Sequence, residues 1–220
     1  MEKNWTQTKT ATFDKENALK MNHIAKTVFA PIYPVIARNA MAVTGKSEGV
    51  CLDLGSGPAM LSISMAKEAP KMKVIAFDFS EDSHRIAMDN INEEKLAQRI
   101  VTATGDVHAI PFEDNYADLI VSRGSMFFWT DLKDAFREIY RVLSPGGATY
   151  IGGGFGSLAL KEHVIREMAK VNPEWDCYAK KKSDDDGIKR FQEMFLELGC
   201  TTYKIIDDET GLWIVLFKPA

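Results

Sequence analysis

The stretch Val50-Cys51-Leu52-Asp53-Leu54-Gly55-Ser56-Gly57-Pro58-Ala59-Met60 constrains this chain more than any other. A short apolar run, an acid, two glycines one residue apart and a proline precede the periodic segment 61–68. Together they spell a buried strand, a tight turn and a helix start. Glycine serves where the backbone takes a positive φ or where a ligand must come close. Pro58 suits the first helical position, whose amide would be unpaired in any case. Such a turn is a cofactor loop or, more plainly, a bare connection between strand and helix.

Glycine-rich turns of this kind commonly cradle pyrophosphates, but two residues argue against a phosphate here. The dinucleotide fingerprint wants glycine where this chain has Met60, and Asp53 sets a carboxylate beside the loop. That carboxylate repels a pyrophosphate and attracts an ammonium group. The expected ligand is a phosphate-free nucleoside with an amino-acid tail, of which S-adenosyl-L-methionine is the common example.

Two more apolar runs end in acids. Residues 73–78 finish at Asp78, placed to accept from ribose hydroxyls, with Phe79 and Ser80 next in line. Ser80 before Glu81 also reads as a helix cap. Residues 100–104 lead into Gly105-Asp106-Val107, an acid placed to accept from an adenine amino group.

The series Asp53-Leu54-Gly55-Ser56-Gly57-Pro58, Asp78, Gly105-Asp106 with Ile110-Pro111-Phe112, Ala117-Asp118-Leu119-Ile120-Val121-Ser122 and Arg141-Val142-Leu143-Ser144-Pro145-Gly146-Gly147 resembles the class I S-adenosylmethionine-dependent methyltransferases, specifically the small type 11 group. Order and spacing match from about Val50 to Ile151. The resemblance implies a three-layer, doubly wound α/β fold. Its seven-stranded, mostly parallel sheet would end in an antiparallel hairpin strand, under an N-terminal helical lid. It also implies that Asp53 and the backbone of Gly55, Ser56 and Gly57 face the methionine part, Asp78 the ribose, and Asp106 with Val107 the adenine. Ala59 departs from the pattern, standing where the family's loop usually carries a third glycine.

A chain of 220 residues buries a substantial core. The expected division is a lid over residues 1–45 and a cofactor-binding domain over 46–220. From Asp14 onward, Leu19, Ile24 and Val28 suggest an amphipathic helix broken by Pro31 and Pro34, then a second helix stopped by Gly45. In the family such helices cover the cofactor and help form the acceptor pocket, which makes Tyr33 a contact candidate. Plain packing of Phe29, Ile32 and Tyr33 is the alternative.

Downstream, residues 117–122 form the fourth strand and deliver Ser122 and Arg123 to the same sheet end. Arg123 would anchor a substrate carboxylate or pair with a strand-end acid. Met126-Phe127-Phe128-Trp129 would line an acceptor pocket, or simply open the helix 131–143. A fifth strand is expected at 148–151. The run Gly152-Gly153-Gly154-Phe155-Gly156 admits a ligand, another backbone or a flexible loop. Helices follow at 158–170 and 184–198, with an excursion at 172–183 that carries Trp175 and Tyr178. A hairpin closes the sheet at 201–206 and 212–217. His84 reads as surface or packing, and His108 as a secondary adenine candidate.

The net charge of −4 argues against a nucleic-acid partner. With no leader or spanning segment in view, a cytoplasmic location without membrane attachment is expected. Three cysteines, Cys51, Cys177 and Cys200, make neither a metal motif nor a disulfide framework. Cys51 reads as a small buried residue, with a thiolate set for a soft metal such as arsenic the lesser alternative. No metal is expected.

Methyl transfer needs alignment more than acid or base, so no catalytic residue is named. The expected acceptor is a small molecule, with a protein side chain open; the oligomeric state is left open too. The competing readings are a cofactor-binding module without turnover, a nicotinamide-dependent oxidoreductase, and a transferase using the aminopropyl or carboxypropyl part of the same cofactor.

Overall fold

The computed structural model describes residues 14–173, 175 and 185–220. The apolar runs become β1 (Glu48–Leu54), β2 (Lys71–Asp78), β3 (Ile100–Thr104), β4 (Ala117–Arg123), β5 (Leu143–Gly154), β6 (Tyr203–Asp208) and β7 (Gly211–Leu216). They form one sheet in the order β3-β2-β1-β4-β5-β7-β6. Neighbours from β3 to β5 pair in parallel, while β7 runs antiparallel to both β5 and β6. The winding direction reverses between β1 and β4, which opens a crevice at the carboxyl ends of these strands.

Alternating strand residues feed two cores, one on each face of the sheet. Cys51, Val74, Ala76, Leu119, Val121 and Trp213 face α1 (Lys15–Thr27), α2 (Ile32–Thr44), α3 (Met60–Glu68), α4 (Glu81–Glu93) and α6 (Leu158–Val171). Leu52, Leu54, Ile75, Phe77, Ile120 and Ile214 face α5 (Leu132–Val142) and α7 (Asp185–Glu197). Ile32, Ile36, Ala37 and Ala40 of α2 are fully buried and continuous with the first core. The N-terminal helices are thus packed into the body. Side-chain caps fix several helix starts: Asp14 accepts from Asn17 N at 3.0 Å, Ser80 from Ser83 N at 3.3 Å and Asp131 from Asp134 N at 2.9 Å. Each is worth about 1 kcal/mol.

Several local expectations are corrected. Of the expected stripe Ile24 and Val28 are buried, with Ala25 beside them, whereas Leu19 is exposed. Pro34 does not interrupt α2; it lies in the first turn, where no intrahelical donor is needed. Pro58 precedes the cap residue Ala59, so Met60 rather than Pro58 is the first helical residue. Strand β5 runs from Leu143 to Gly154, because β7 pairs with its glycine end: Gly152 with Trp213, Gly153 with Leu212 and Gly154 with Gly211. A Cβ at Gly152 would strike the Leu212 carbonyl, and one at Gly153 would strike the Phe127 ring. The glycine run therefore admits a backbone and an aromatic ring. Of the excursion at 172–183, Trp175 is described and sits 6.2 Å from Phe29, ring to ring; Tyr178 and Cys177 lie outside the described residues.

Candidate active site

The turn after β1 is built as a sequence of left-handed residues, Gly55 at φ 65°, Gly57 at 52° and Ala59 at 62°. Ser56 N donates to Phe77 O at 3.1 Å, tying the turn to β2. Ser125, just past β4, occupies the space a side chain at Gly55 would need and donates to Leu54 O at 3.0 Å. Buried Ser122 shares a 2.6 Å hydroxyl contact with Ser125. Gly57 is different: a Cβ there would meet nothing within 4 Å, so its face of the turn opens on space. Ala59 holds the third left-handed position with a buried methyl, at a cost on the order of 1 kcal/mol.

Three acids stand at the carboxyl ends of adjacent strands. Asp53 is buried on the α3 face and accepts from Ser62 Oγ at 2.6 Å and from the Ser62 backbone. Burial pushes its carboxyl up to about 7; the Ser62 hydrogen bonds oppose that shift and the nearby Asp78 charge adds to it. Asp78 accepts from Gly57 N at 2.8 Å through Oδ2 and from Ser80 N at 2.9 Å through Oδ1. Its pKa is also raised by burial, against these backbone bonds. Asp106 is exposed and held below the usual carboxylate range, first by the His108 backbone amide. His108 Nε2 accepts from Asp131 N at 3.3 Å, which leaves Nδ1 to donate to Asp106 at 2.6 Å.

The remaining sequence candidates divide by face. Tyr33 is buried under the N-terminal helices, hydrogen-bonded to Arg123 and within electrostatic reach of Asp53. The Arg123 guanidinium lies 4.4 Å from the Phe29 ring centre and 5.6 Å from that of Phe155, and its Nε donates to Gly154 O at 3.3 Å. Arg123 thus joins helix α2 to the sheet edge. Gly105 N donates to Asp78 O at 3.1 Å, and a Cβ on Gly105 would strike the Phe77 ring. Phe79 projects into solvent, whereas Val107 and Ser80 are buried. His84 bonds the hydroxyls of Thr102 and Thr104 at 3.2 and 3.1 Å, a bridge between α4 and β3. Cys51 and Cys200 are unpaired and buried, and no cluster of three or more metal-ligating side chains occurs among the described residues.

One feature was only partly legible in the sequence. A cavity of about 380 Å³ lies between the 3₁₀ turn Met126–Phe128, the start of α5 and α7, with Leu212 of β7 also in its wall. Its elements are distant in the chain, and no local pattern announces them. The aromatic run was the available signal: Met126 and Phe127 line the cavity, while Trp129 packs on Phe136.

A model of the type 11 methyltransferase domain matches residues 52–151. A crystal structure from Methanococcus maripaludis, assigned as an S-adenosyl-L-methionine-dependent methyltransferase, is 47% identical. The match covers 100% of this chain and 98% of that one, at a TM-score of 0.89. The chain belongs to the class I S-adenosylmethionine-dependent methyltransferases. A methyltransferase of Aquifex aeolicus shares the fold at a TM-score of 0.63 and 17% identity, over 94% of this chain and 98% of that one. The demethylmenaquinone methyltransferase of Lactiplantibacillus plantarum is 31% identical over 129 residues, 58% of this chain and 50% of that protein. The chain spans half or less of the length of the first curated relatives it matches.

The residues of this chain fit the family's cofactor. No cation is paired with Asp78 among the described residues. Its two oxygens accept from the Gly57 and Ser80 amides, with a further backbone bond from Phe79, which is still fewer than the roughly four lone-pair sites of a carboxylate and leaves acceptor capacity for a ligand. The open side of Gly57 stands beside it, and the turn presents no basic side chain to a phosphate. No helix among the described residues is long and apolar enough to cross a membrane.

Proposed function

We propose that this chain methylates a small molecule, with S-adenosylmethionine held across the carboxyl ends of β1, β2 and β3. The observation that carries the proposal is the pairing of an open glycine turn with two buried acids, Asp78 bonded to the turn at Gly57 N and Asp53 close enough to feel the Asp78 charge. Asp53 would take the cofactor's ammonium group, Asp78 the ribose hydroxyls and Asp106 the adenine amino group. Val107 and Phe79 would flank the base, and Ser80 would hold Asp78 in place through its amide. Tyr33, Ser122 and Arg123 would bound the methionine end, with residues 1–45 as the cover.

When bound, S-adenosylmethionine supplies an electrophilic methyl carbon: the acceptor's lone pair forms the new bond as carbon–sulfur breaks, and sulfur keeps that electron pair as a neutral thioether. The chain's own work is then alignment and exclusion of water. Relatives named for demethylmenaquinone methylation support a small-molecule acceptor. The acidic balance of the chain supports the absence of a nucleic-acid partner, and two unpaired buried thiols support a reducing, cytoplasmic setting.

Calorimetry on the purified protein tests this directly. S-adenosylmethionine and S-adenosylhomocysteine are expected to bind one per chain, and NAD is expected not to bind. Binding of NAD with neither adenosyl compound would overturn the proposal, whereas adenosyl binding without turnover on any acceptor would mark a non-catalytic module.

A further inference from the structure

We propose that the cavity between the Met126–Phe128 turn and α7 is the acceptor site, taking an apolar, ring-bearing molecule with one anionic group that meets Arg190. The inference rests on the methyltransferase function proposed above and names the class of its second substrate.

Size and lining come first. A volume of about 380 Å³ falls in the range of small-molecule sites, and Met126, Phe127, Phe191, Met194 and Leu212 give it an apolar wall with two aromatic rings. Phe191 is held edge-on by buried Phe136, so its ring is fixed before a ligand arrives. Methionines at 126 and 194 adapt to irregular ring shapes.

Charge narrows the class. Two charged residues line the cavity: Asp131, whose Oδ1 is engaged by the Asp134 amide as the cap of α5, and Arg190, which is exposed and whose Nε donates to Asp186 O at 3.2 Å within α7. The Arg190 guanidinium makes no ion pair among the described residues, whereas Arg141 at the far end of α5 is paired to both Asp114 and Glu138. A guanidinium fork at the mouth of an apolar cavity suits a carboxylate, phenolate or similar oxyanion.

Position ties the cavity to the cofactor turn. Met126 and Phe127 directly follow Ser125, which fills the space over Gly55. Phe127 also rests on Gly153 at the carboxyl end of β5. On the other side, the Asp131 amide is held by His108, whose Nδ1 holds Asp106. The cavity is thus linked at both flanks to the loops that carry the strand-end acids. On the opposite face Arg123 gathers Tyr33, Phe29 and Phe155 around its guanidinium, the group that would bound the cofactor's methionine end.

The test uses 1-naphthoate and its neutral counterpart 1-naphthalenemethanol as probes, titrated with and without S-adenosylhomocysteine. Wild-type protein is expected to bind naphthoate, and an inter-ligand nuclear Overhauser effect is expected between naphthoate and the adenosyl compound. Arg190→Gln should weaken naphthoate about tenfold while leaving the neutral probe unchanged. Met194→Trp should fill the cavity and abolish both probes with S-adenosylhomocysteine binding and thermal midpoint retained. Equal naphthoate binding in wild type and Arg190→Gln, unaltered binding in Met194→Trp, or no inter-ligand effect while calorimetry shows both ligands bound would overturn the assignment. Loss of adenosyl binding alone, with the probes behaving as expected, would count against the cofactor and not against the cavity.

Discussion

Replacing Asp78 by alanine is expected to weaken S-adenosylhomocysteine binding by about a hundredfold or more. Two hydrogen bonds from ribose hydroxyls to an ionised carboxylate contribute about 1.5 kcal/mol each at the low end, and their loss alone gives a factor of that size. The same carboxylate also gathers the Gly57 and Ser80 amides, so the turn that faces the ligand loses its anchor together with the ribose contact. Stability should move much less, because burial raises the pKa of Asp78 and its removal relieves that penalty. His84→Ala is the matched control. His84 sits on the helix that follows Asp78 and bonds only Thr102 and Thr104 among the described residues, so its loss should leave calorimetric binding within about twofold of wild type. Equal small losses in the two variants would move the ribose site away from β2.

The contrast between Asp78 and the glycine run shows what the sequence could and could not carry. Parallel strands buried on both faces are apolar throughout, so an acid at the end of such a run stands out, and Asp53 and Asp78 were legible for that reason. The closing hairpin was legible too, since Asp208 accepts from Thr210 N at 2.8 Å and fixes a two-residue turn that local chemistry specifies. The run Gly152-Gly153-Gly154 looked the same whether a ligand or a strand approached it. Only the pairing with β7, some sixty residues later in the chain, decides for the strand. Arg123 was undecided for a similar reason: its partners Phe29, in the turn between α1 and α2, and Tyr33 of α2 belong to a unit whose docking no local pattern dictates. The spacing that placed Leu19 on the buried face failed because α1 packs on α4 through a narrow strip centred on Ile24 and Ala25. The cavity wall drawn from Met126, Phe191 and Leu212 is non-local in the same sense.

Asp53→Asn is expected to shift cofactor binding and stability in opposite directions. In the folded chain burial holds the carboxyl at a pKa of about 7, well above the ordinary value near 3.8. The folded state therefore keeps the proton more tightly than the unfolded state. The stability that this proton confers is fully present below about pH 4 and is lost as pH rises through about 7. Asparagine carries no charge to bury and can still accept from Ser62 through its amide oxygen, so the variant should gain stability relative to wild type at pH 8 and show no gain at pH 4. Binding should run the other way. An ammonium group pairs only with the ionised carboxylate, so wild-type affinity for S-adenosylmethionine should rise by up to about tenfold per pH unit between 5.5 and 7, then level off. The asparagine variant should bind about 30-fold or more weakly at pH 8 and lose that slope, since one buried charge pair is gone. Thermal melts and calorimetry at pH 4, 6 and 8, each where the protein stays folded, separate this from a purely structural role. If Asp53 served only to hold Ser62 at the start of α3, the asparagine variant would bind with wild-type affinity and an unchanged pH profile, and the ammonium would have to be assigned to another group.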